Sequence, residues 1–252
     1  MKTLEVLFTP ADFAGLQRRN LDDTTCVVID VFRATSSMVT ALANGAAAVI
    51  PVAEIPEALE WRRRMPQVLL AGERDGLRIR AELTGGVDFD MGNSPREFVR
   101  ERVLGRTIVT TTTNGTRALR AGAHSRTVLV GSFLNLGATV QWILKSGTEH
   151  LLIVCSGTFE QAAYEDVLAA GAMCELLQDH FGDGERSDAA FMARRLFESV
   201  KTNLAGAARE ARNGQRLLSR PELAEDVPFC LQRDVFPLVA GMQPDGRITL
   251  QK

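Results

Sequence analysis

The chain has 252 residues, enough for one large α/β domain or two smaller ones sharing an interface. Apolar residues make up 45 % and charged residues 24 %, the balance of an ordinary soluble globular protein. With 29 basic and 31 acidic residues the formal net charge is −2, which excludes a general attraction to nucleic acid or to anionic lipid. Any anion the protein binds must be held locally.

The opening MKTLEVLFTP has no long apolar stretch and no small-residue cleavage site, so a secretory signal is not expected. No segment approaches the ~18 uninterrupted apolar residues of a membrane span. Cys26, Cys155, Cys174 and Cys230 form no C-x-x-C pair, which points to reduced thiols in a cytoplasmic protein. His124, His150 and His180 lack the spacing of a structural zinc site.

Along the chain one local pattern recurs: a short apolar run, then small polar residues, then a helical pattern. TCVVIDV leads into FRATSSMVTALANGAA, TIVTTTTNGT into RALRAGA, TVLVGSF into LNLGATVQWILKSG, and HLLIVCSGT into YEDVLAAGAMCELLQDH. Continuous Val/Ile/Leu runs suit strands covered on both faces. Strands alternating with helices imply an α/β fold with a largely parallel or mixed sheet. In NSPREF, Ser94 is placed as N-cap, Pro95 at the first helical position and Glu97 as the partner in a capping box. Residues 187–218 read as helical with a break at Asn213-Gly214, and the tail ends in a Pro-Asp-Gly turn and a strand. The βα units form two clusters, so a division into lobes near residue 125 (1–125 and 126–252) is expected.

In open α/β sheets ligands bind beyond the carboxyl ends of the strands, where helix N-termini point their N–H groups. Four loops there carry chemistry. In DVFRATSS, Asp30 closes a strand and Arg33 follows; an acid beside an arginine suits a metal ligand or nucleophile next to an anion clamp. Thr35, Ser36 and Ser37 add donors. Arg33 and the helix N-terminus are expected to lower the Asp30 pKa. The plain alternative is that Asp30 merely pairs with Arg33 or caps the helix. The segment GERDGLRIRAELTGGVDFDMGNSPREF holds Glu73, Asp88 and Asp90; a loop so long is usually functional or disordered, and its capped helix argues for order.

The third loop is TTTTNGTRAL. Thr112, Thr113 and Asn114 supply donors, Gly115 lets backbone approach, and Arg117 offers a fork for a phosphoryl anion. The fourth is CSGTFEQAAYEDVLAAG. Glu165 and Asp166 there either favour the helix dipole or reach a metal. Cys155 reads as a buried strand-end residue, because the sixth position after it is Gln161 rather than the arginine of a cysteine-phosphatase loop. Carboxylates mixed with hydroxyls and arginines can hold a phosphate around a hard divalent cation, so the residues suggest a Mg2+-dependent enzyme acting on a small anionic phosphate ester.

DVFRATSS, GER-x-G, DFDMGNSPREF, TTTNGTRAL, VLVGSFLN, CSGT…EDVLAAG and CLQRD occur in this order, and with them the chain resembles the 2-phosphosulfolactate phosphatase family from Leu4 to Ile248. The resemblance implies two α/β/α sandwich lobes around one cleft and Mg2+-dependent hydrolysis of 2-phospho-3-sulfolactate to sulfolactate, on the route to coenzyme M. The positions it nominates are Asp30, Arg33, Glu73 and Asp90 for catalysis, and Asp30, Glu73, Glu165 and Asp166 for the metal. For substrate binding it points to Asn93, Ser94, Thr113, Asn114 and Arg117, to which the loop residues Ser36, Ser156 and Gly157 are added as further candidates. The nucleophile is an aspartate or a metal-bound water. The competing readings are a non-catalytic module for a phosphorylated metabolite and a lyase on a phosphorylated hydroxy acid. A homodimer is compatible with a chain of this size.

Overall fold

The apolar runs become strands. In this computed structural model, which describes residues 1–251, they are β1 (Thr3–Leu7), β2 (Thr24–Ile29), β3 (Ala48–Pro51), β4 (Leu69–Arg74), β5 (Leu77–Arg78), β6 (Thr107–Thr111), β7 (Thr127–Gly131), β8 (His150–Cys155), β9 (Glu185–Arg186), β10 (Ala240–Met242) and β11 (Ile248–Leu250). They form one mixed sheet in the order β5-β4-β6-β3-β11-β10-β7-β2-β8-β1-β9.

Successive strand residues point to opposite faces, and both faces are covered. Along β2, Val27 and Ile29 enter a core shared with the helices Tyr164–Leu176 and Asp188–Val200. Cys26 and Val28 enter a second core with the helices Ala34–Ala43 and Gly115–Gly122. A smaller cluster of Ile50, Leu70, Ile79, Phe89 and Val109 packs around β3, β4 and β6. The α/β class expected from the sequence is the one observed, as helix–sheet–helix layers.

The sheet does not divide at residue 125. β2, from before that point, lies between β7 and β8, from after it, with Val27 paired to both Leu129 and Ile153. Two parallel groups do exist, β4-β6-β3 and β7-β2-β8-β1-β9. The hairpin β10–β11 joins them by antiparallel pairing on both sides. Three antiparallel steps set the two groups in opposite directions along the ladder. A twist of roughly 20–25° between neighbours, accumulated over the five steps from β2 to β6, offsets much of that reversal and brings carboxyl ends from both groups to one place.

Some local expectations change. Pro95–Glu97 is a single 3-10 turn, and Ser94 makes no capping bond; its hydroxyl reaches Asp226 instead, while Glu97 accepts from Gly92 N. Residues 187–218 form three helices, Asp188–Val200, Leu204–Glu210 and Arg212–Leu218. Asn213-Gly214 lies inside the third helix. Gly214 is there for proximity: a Cβ would come within 1.8 Å of the Ala208 carbonyl oxygen. Among the described residues, no helix is long and apolar enough to cross a membrane.

Candidate active site

The carboxyl ends of β2, β4, β6 and β8 open onto one cavity of about 80 Å3. Asp30, Arg33, Glu73, Asn93, Thr113 and Asn114 line it, six positions nominated from the sequence. They come from loops far apart in the chain, and each is held by its own set of contacts.

Asp30 follows the last residue of β2 and is buried. Its main chain is clamped by Thr35, whose Oγ1 accepts from Asp30 N at 2.9 Å and donates to Asp30 O at 2.8 Å. Its Oδ1 accepts from Ala34 N, at the start of the Ala34–Ala43 helix, at 3.1 Å. Gly115 opens the Gly115–Gly122 helix against the other oxygen: a Cβ there would lie 2.8 Å from Asp30 Oδ2 and 2.6 Å from Ala34 Cβ. The Asp30 pKa is pushed up to about 6, not lowered as expected. Burial dominates, the Ala34 N–H and the Ser156 hydroxyl oppose it, and Glu73 adds repulsion. Arg33 lowers it only weakly because its guanidinium is engaged elsewhere.

The acids differ in what they have left to offer. Glu73 spends Oε2 on Gly76 N at 2.7 Å and Oε1 on Thr113 N and Oγ1, both at 2.9 Å, fastening the turn after β4 to the loop after β6. Asp166 spends Oδ1 on Val31 N at 2.8 Å and Oδ2 on Ser156 Oγ and Gly157 N, each at 3.2 Å. Ser156 and Gly157 thus hold a buried carboxylate. Glu165 accepts from Asn213 Nδ2 at 2.6 Å through Oε1, but Oε2 is buried without a partner. Thr112 Oγ1, on the cavity wall, is also buried and unsatisfied. Burial pushes Glu165 up to about 7 and Asp166 well above its ordinary value; Asn213 lowers the former, and Asp30 raises both.

Arg33 and Asp226 form a buried ion pair at 2.8 Å, Nη1 to Oδ2. Arg33 Nη2 also donates to the Gly76 carbonyl at 2.7 Å. Asp226 Oδ1 accepts from Ser94 Oγ at 2.6 Å. One carboxylate from the Asp226–Cys230 helix therefore ties together the loop after β2 and the segment before Pro95.

A family model described as 2-phosphosulpholactate phosphatase matches residues 13–244. The chain belongs to the 2-phosphosulfolactate phosphatase family. This is a family of phosphoric monoester hydrolases by name. Relatives named probable 2-phosphosulfolactate phosphatase include one from Thermotoga petrophila, 43 % identical over 216 residues (85 % of this chain and 87 % of the relative). One from Caldanaerobacter subterraneus subsp. tengcongensis is 39 % identical over 239 residues, covering 94 % and 95 % of the two chains. One from Carboxydothermus hydrogenoformans is 33 % identical over 250 residues, covering 98 % and 97 %.

Eight nominated positions of this 2-phosphosulfolactate phosphatase family member do not line the cavity: Ser36, Asp90, Ser94, Arg117, Ser156, Gly157, Glu165 and Asp166. Asp90 is ion-paired with Arg62 and accepts from Leu70 N at 2.7 Å, so it anchors β4 to the Ile55–Arg64 helix. Arg117 is half-exposed and paired with Glu160 at 2.6 Å on the surface. Ser36 is buried, and its hydroxyl donates to the Val31 carbonyl at 2.9 Å. Ser94 is committed to Asp226. Conversely, Thr158, Asn213 and Arg216 line the cavity without having been nominated. Asn213 looked like half of an Asn-Gly break. Asp226 and Arg216 sit in short helices of mixed composition and carry no sequence signal of their own.

The donor set can be tested against a metal ion. Among the described residues, no three His, Cys, Asp or Glu side chains are grouped so as to hold one. Of the four carboxylates expected from the sequence, Glu73 and Asp166 already accept hydrogen bonds at both oxygens, so Asp30 and Glu165 are the less committed pair. Both are buried and outside any ion pair, with Glu165 Oε2 left unpartnered and Asp30 raising the Glu165 pKa by repulsion. That fits Mg2+, which is commonly held by one or two carboxylates, waters and substrate phosphate rather than by an all-protein cage.

Proposed function

We propose that this protein is a Mg2+-dependent phosphatase hydrolysing the phosphomonoester of 2-phospho-3-sulfolactate or a closely related phosphorylated hydroxy acid. The observation that carries the reading is the unsatisfied polar set in and beside the cavity: Asp30 on its wall lacks an ionic partner, Thr112 Oγ1 on its wall lacks any partner, and Glu165 Oε2, behind the lining residue Asn213, lacks any partner. A site left so unsatisfied is completed by a cation and an oxygen-rich anion. The family's name supplies the substrate.

Asp30 and Glu165 would hold the ion, which when bound supplies charge neutralisation for the phosphoryl group. Thr112, Thr113 and Asn114 present hydroxyl and amide groups to phosphoryl oxygens. Asp166 and the Thr35 clamp keep Asp30 in place. In the net reaction the P–O bond to the hydroxy-acid carbon breaks, water adds hydroxyl to phosphorus, and the ester oxygen leaves protonated as the alcohol.

The test is phosphate release from 2-phosphosulfolactate, phospholactate and phosphoglycolate, with and without Mg2+ and EDTA, for wild type and Asp30→Asn. EDTA-sensitive release that Asp30→Asn abolishes is expected. A hydroxylamine-labile phosphate on trapped wild-type enzyme would make Asp30 the nucleophile; its absence, with weakened Mg2+ affinity in Asp30→Asn, would make Asp30 a ligand. Tight binding without turnover, or turnover untouched by EDTA, would defeat the proposal.

A further inference from the structure

Three guanidinium groups converge on the turn between β4 and β5. The position a Cβ would take at Gly76 is 3.7 Å from Arg220 Nη1 and 3.9 Å from both Arg216 Nη2 and Arg33 Nη2. The three side chains come from separate places: the loop after β2, the Arg212–Leu218 helix, and the residue preceding the Pro221–Ala224 turn.

They are not equally committed. Arg33 uses Nη1 on Asp226 and Nη2 on the Gly76 carbonyl. Arg220 Nη1 donates to the Asp75 carbonyl at 3.1 Å. Arg216 makes no side-chain hydrogen bond among the described residues, although it lines the cavity. Its nearest carboxylate oxygen is Asp75 Oδ1 at 3.6 Å, beyond hydrogen-bond reach, on a side chain that is 85 % exposed. The other acids nearby are engaged: Glu73 by Gly76 N and Thr113, Asp226 by Arg33 and Ser94. The same Glu73 contacts tie this turn to Thr113, next to Thr112, so Arg216 flanks the phosphoryl end of the cavity without being part of its floor.

A guanidinium presents a planar fork that matches a carboxylate or sulfonate in two parallel hydrogen bonds. Arg216 is the cavity guanidinium with that fork unfilled. Resting on the phosphatase reading above, we propose that Arg216 receives one of the acidic groups the substrate carries besides its phosphate, the sulfonate or the carboxylate, with Arg33 and Arg220 adding positive charge beside it. Arg216 then selects phosphorylated hydroxy acids over phosphate esters of neutral alcohols. Arg117, the arginine nominated for anion binding from the sequence, plays no part in this.

The experiment compares Arg216→Gln and Arg216→Lys with wild type on 2-phosphosulfolactate and on glycerol 2-phosphate, which has no acidic group besides its phosphate. Expected is a fall of about tenfold or more in the ratio of the two kcat/KM values for Arg216→Gln, mostly through KM, with partial recovery in Arg216→Lys. An equal loss on both esters, or an unchanged ratio, overturns the proposal. Calorimetric titration with sulfolactate, which has the sulfonate and the carboxylate but no phosphoryl group, separates the two levels of the argument. Sulfolactate binding that Arg216→Gln weakens, in an enzyme that hydrolyses no ester, would keep the Arg216 assignment and remove the phosphatase reading. Normal hydrolysis with sulfolactate binding equal in wild type and Arg216→Gln would do the reverse.

Discussion

Asp226→Ala removes one half of a fully buried ion pair. The Arg33 and Asp226 side chains are 3 % and 0 % exposed, and their charged atoms are 2.8 Å apart. With an effective dielectric of about 20, charges at that distance attract by about 6 kcal/mol. Desolvation of both ions offsets much of this, so the pair itself adds little net stability. Removing one partner is different: Arg33 would stay buried with the Gly76 carbonyl as its one remaining hydrogen-bond acceptor, and the expected loss is about 3–5 kcal/mol. Ser94 loses its acceptor too, which adds about 1 kcal/mol. Against a total of roughly 5–15 kcal/mol, that is a large part of the fold's stability. Urea denaturation followed by fluorescence of Trp61 and Trp142 should show a lower midpoint at unchanged slope. The double variant Arg33→Met/Asp226→Leu, with no charge left to bury, should recover most of the loss. An Asp226→Ala protein less than about 1 kcal/mol below wild type would refute the reasoning, because the pair would then have to be solvated.

Three further outcomes follow from single positions. Gly115→Ala places a methyl group against Asp30 Oδ2 and Ala34 Cβ, so kcat/KM should fall about tenfold or more and stability by about 1–3 kcal/mol; unaltered kinetics would mean that the helix start does not press on Asp30. Arg117→Ala removes an exposed surface pair, worth about 0–1 kcal/mol at most, and steady-state kinetics should stay within about twofold of wild type. A large rise in KM would return Arg117 to the site. Burial raises all four thiol pKa values, Cys26 and Cys174 up to about 12 and Cys155 well above its ordinary value. Native protein at pH 8 should therefore resist iodoacetamide, while unfolded protein takes up one label per cysteine by mass spectrometry; rapid native labelling of Cys155 would reopen it as a nucleophile.

The strands were legible because a strand buried on both faces must be apolar where it is covered, and β2, β7 and β8 are free of polar side chains from Cys26, Val128 and Leu151 to their ends. Asp30, Glu73 and Thr113 were legible for a related reason: polar residues that end such runs project from strand ends, where the cavity forms. Asp90 and Arg117 carried the right chemistry in the right motifs, yet partners distant in sequence, Arg62 and Glu160, decide where they point. Nothing local announces Asp226, Asn213 or Arg216. They gain their roles only when residues 204–230 fold back over the loops after β2 and β4, a contact between distant parts of the chain. The helix pattern over 187–218 was visible, but its breaks were not, since Gly214 is required by the approach of Ala208 rather than by a turn.

The β10–β11 hairpin has a bearing on how the chain reaches its native state. Val49 pairs with Ile248, 199 positions later (248 − 49), and Leu129 with Gly241. Until the hairpin arrives, β3 and β7 each present an unpaired edge of apolar strand, a template for pairing with another molecule. Closing contacts of such sequence separation slows folding, so these two edges are exposed for the longest time. Conditions that delay the hairpin, such as a weakened Pro-Asp-Gly turn, should therefore show up first as aggregation during refolding, before any change in the equilibrium stability of protein that has folded.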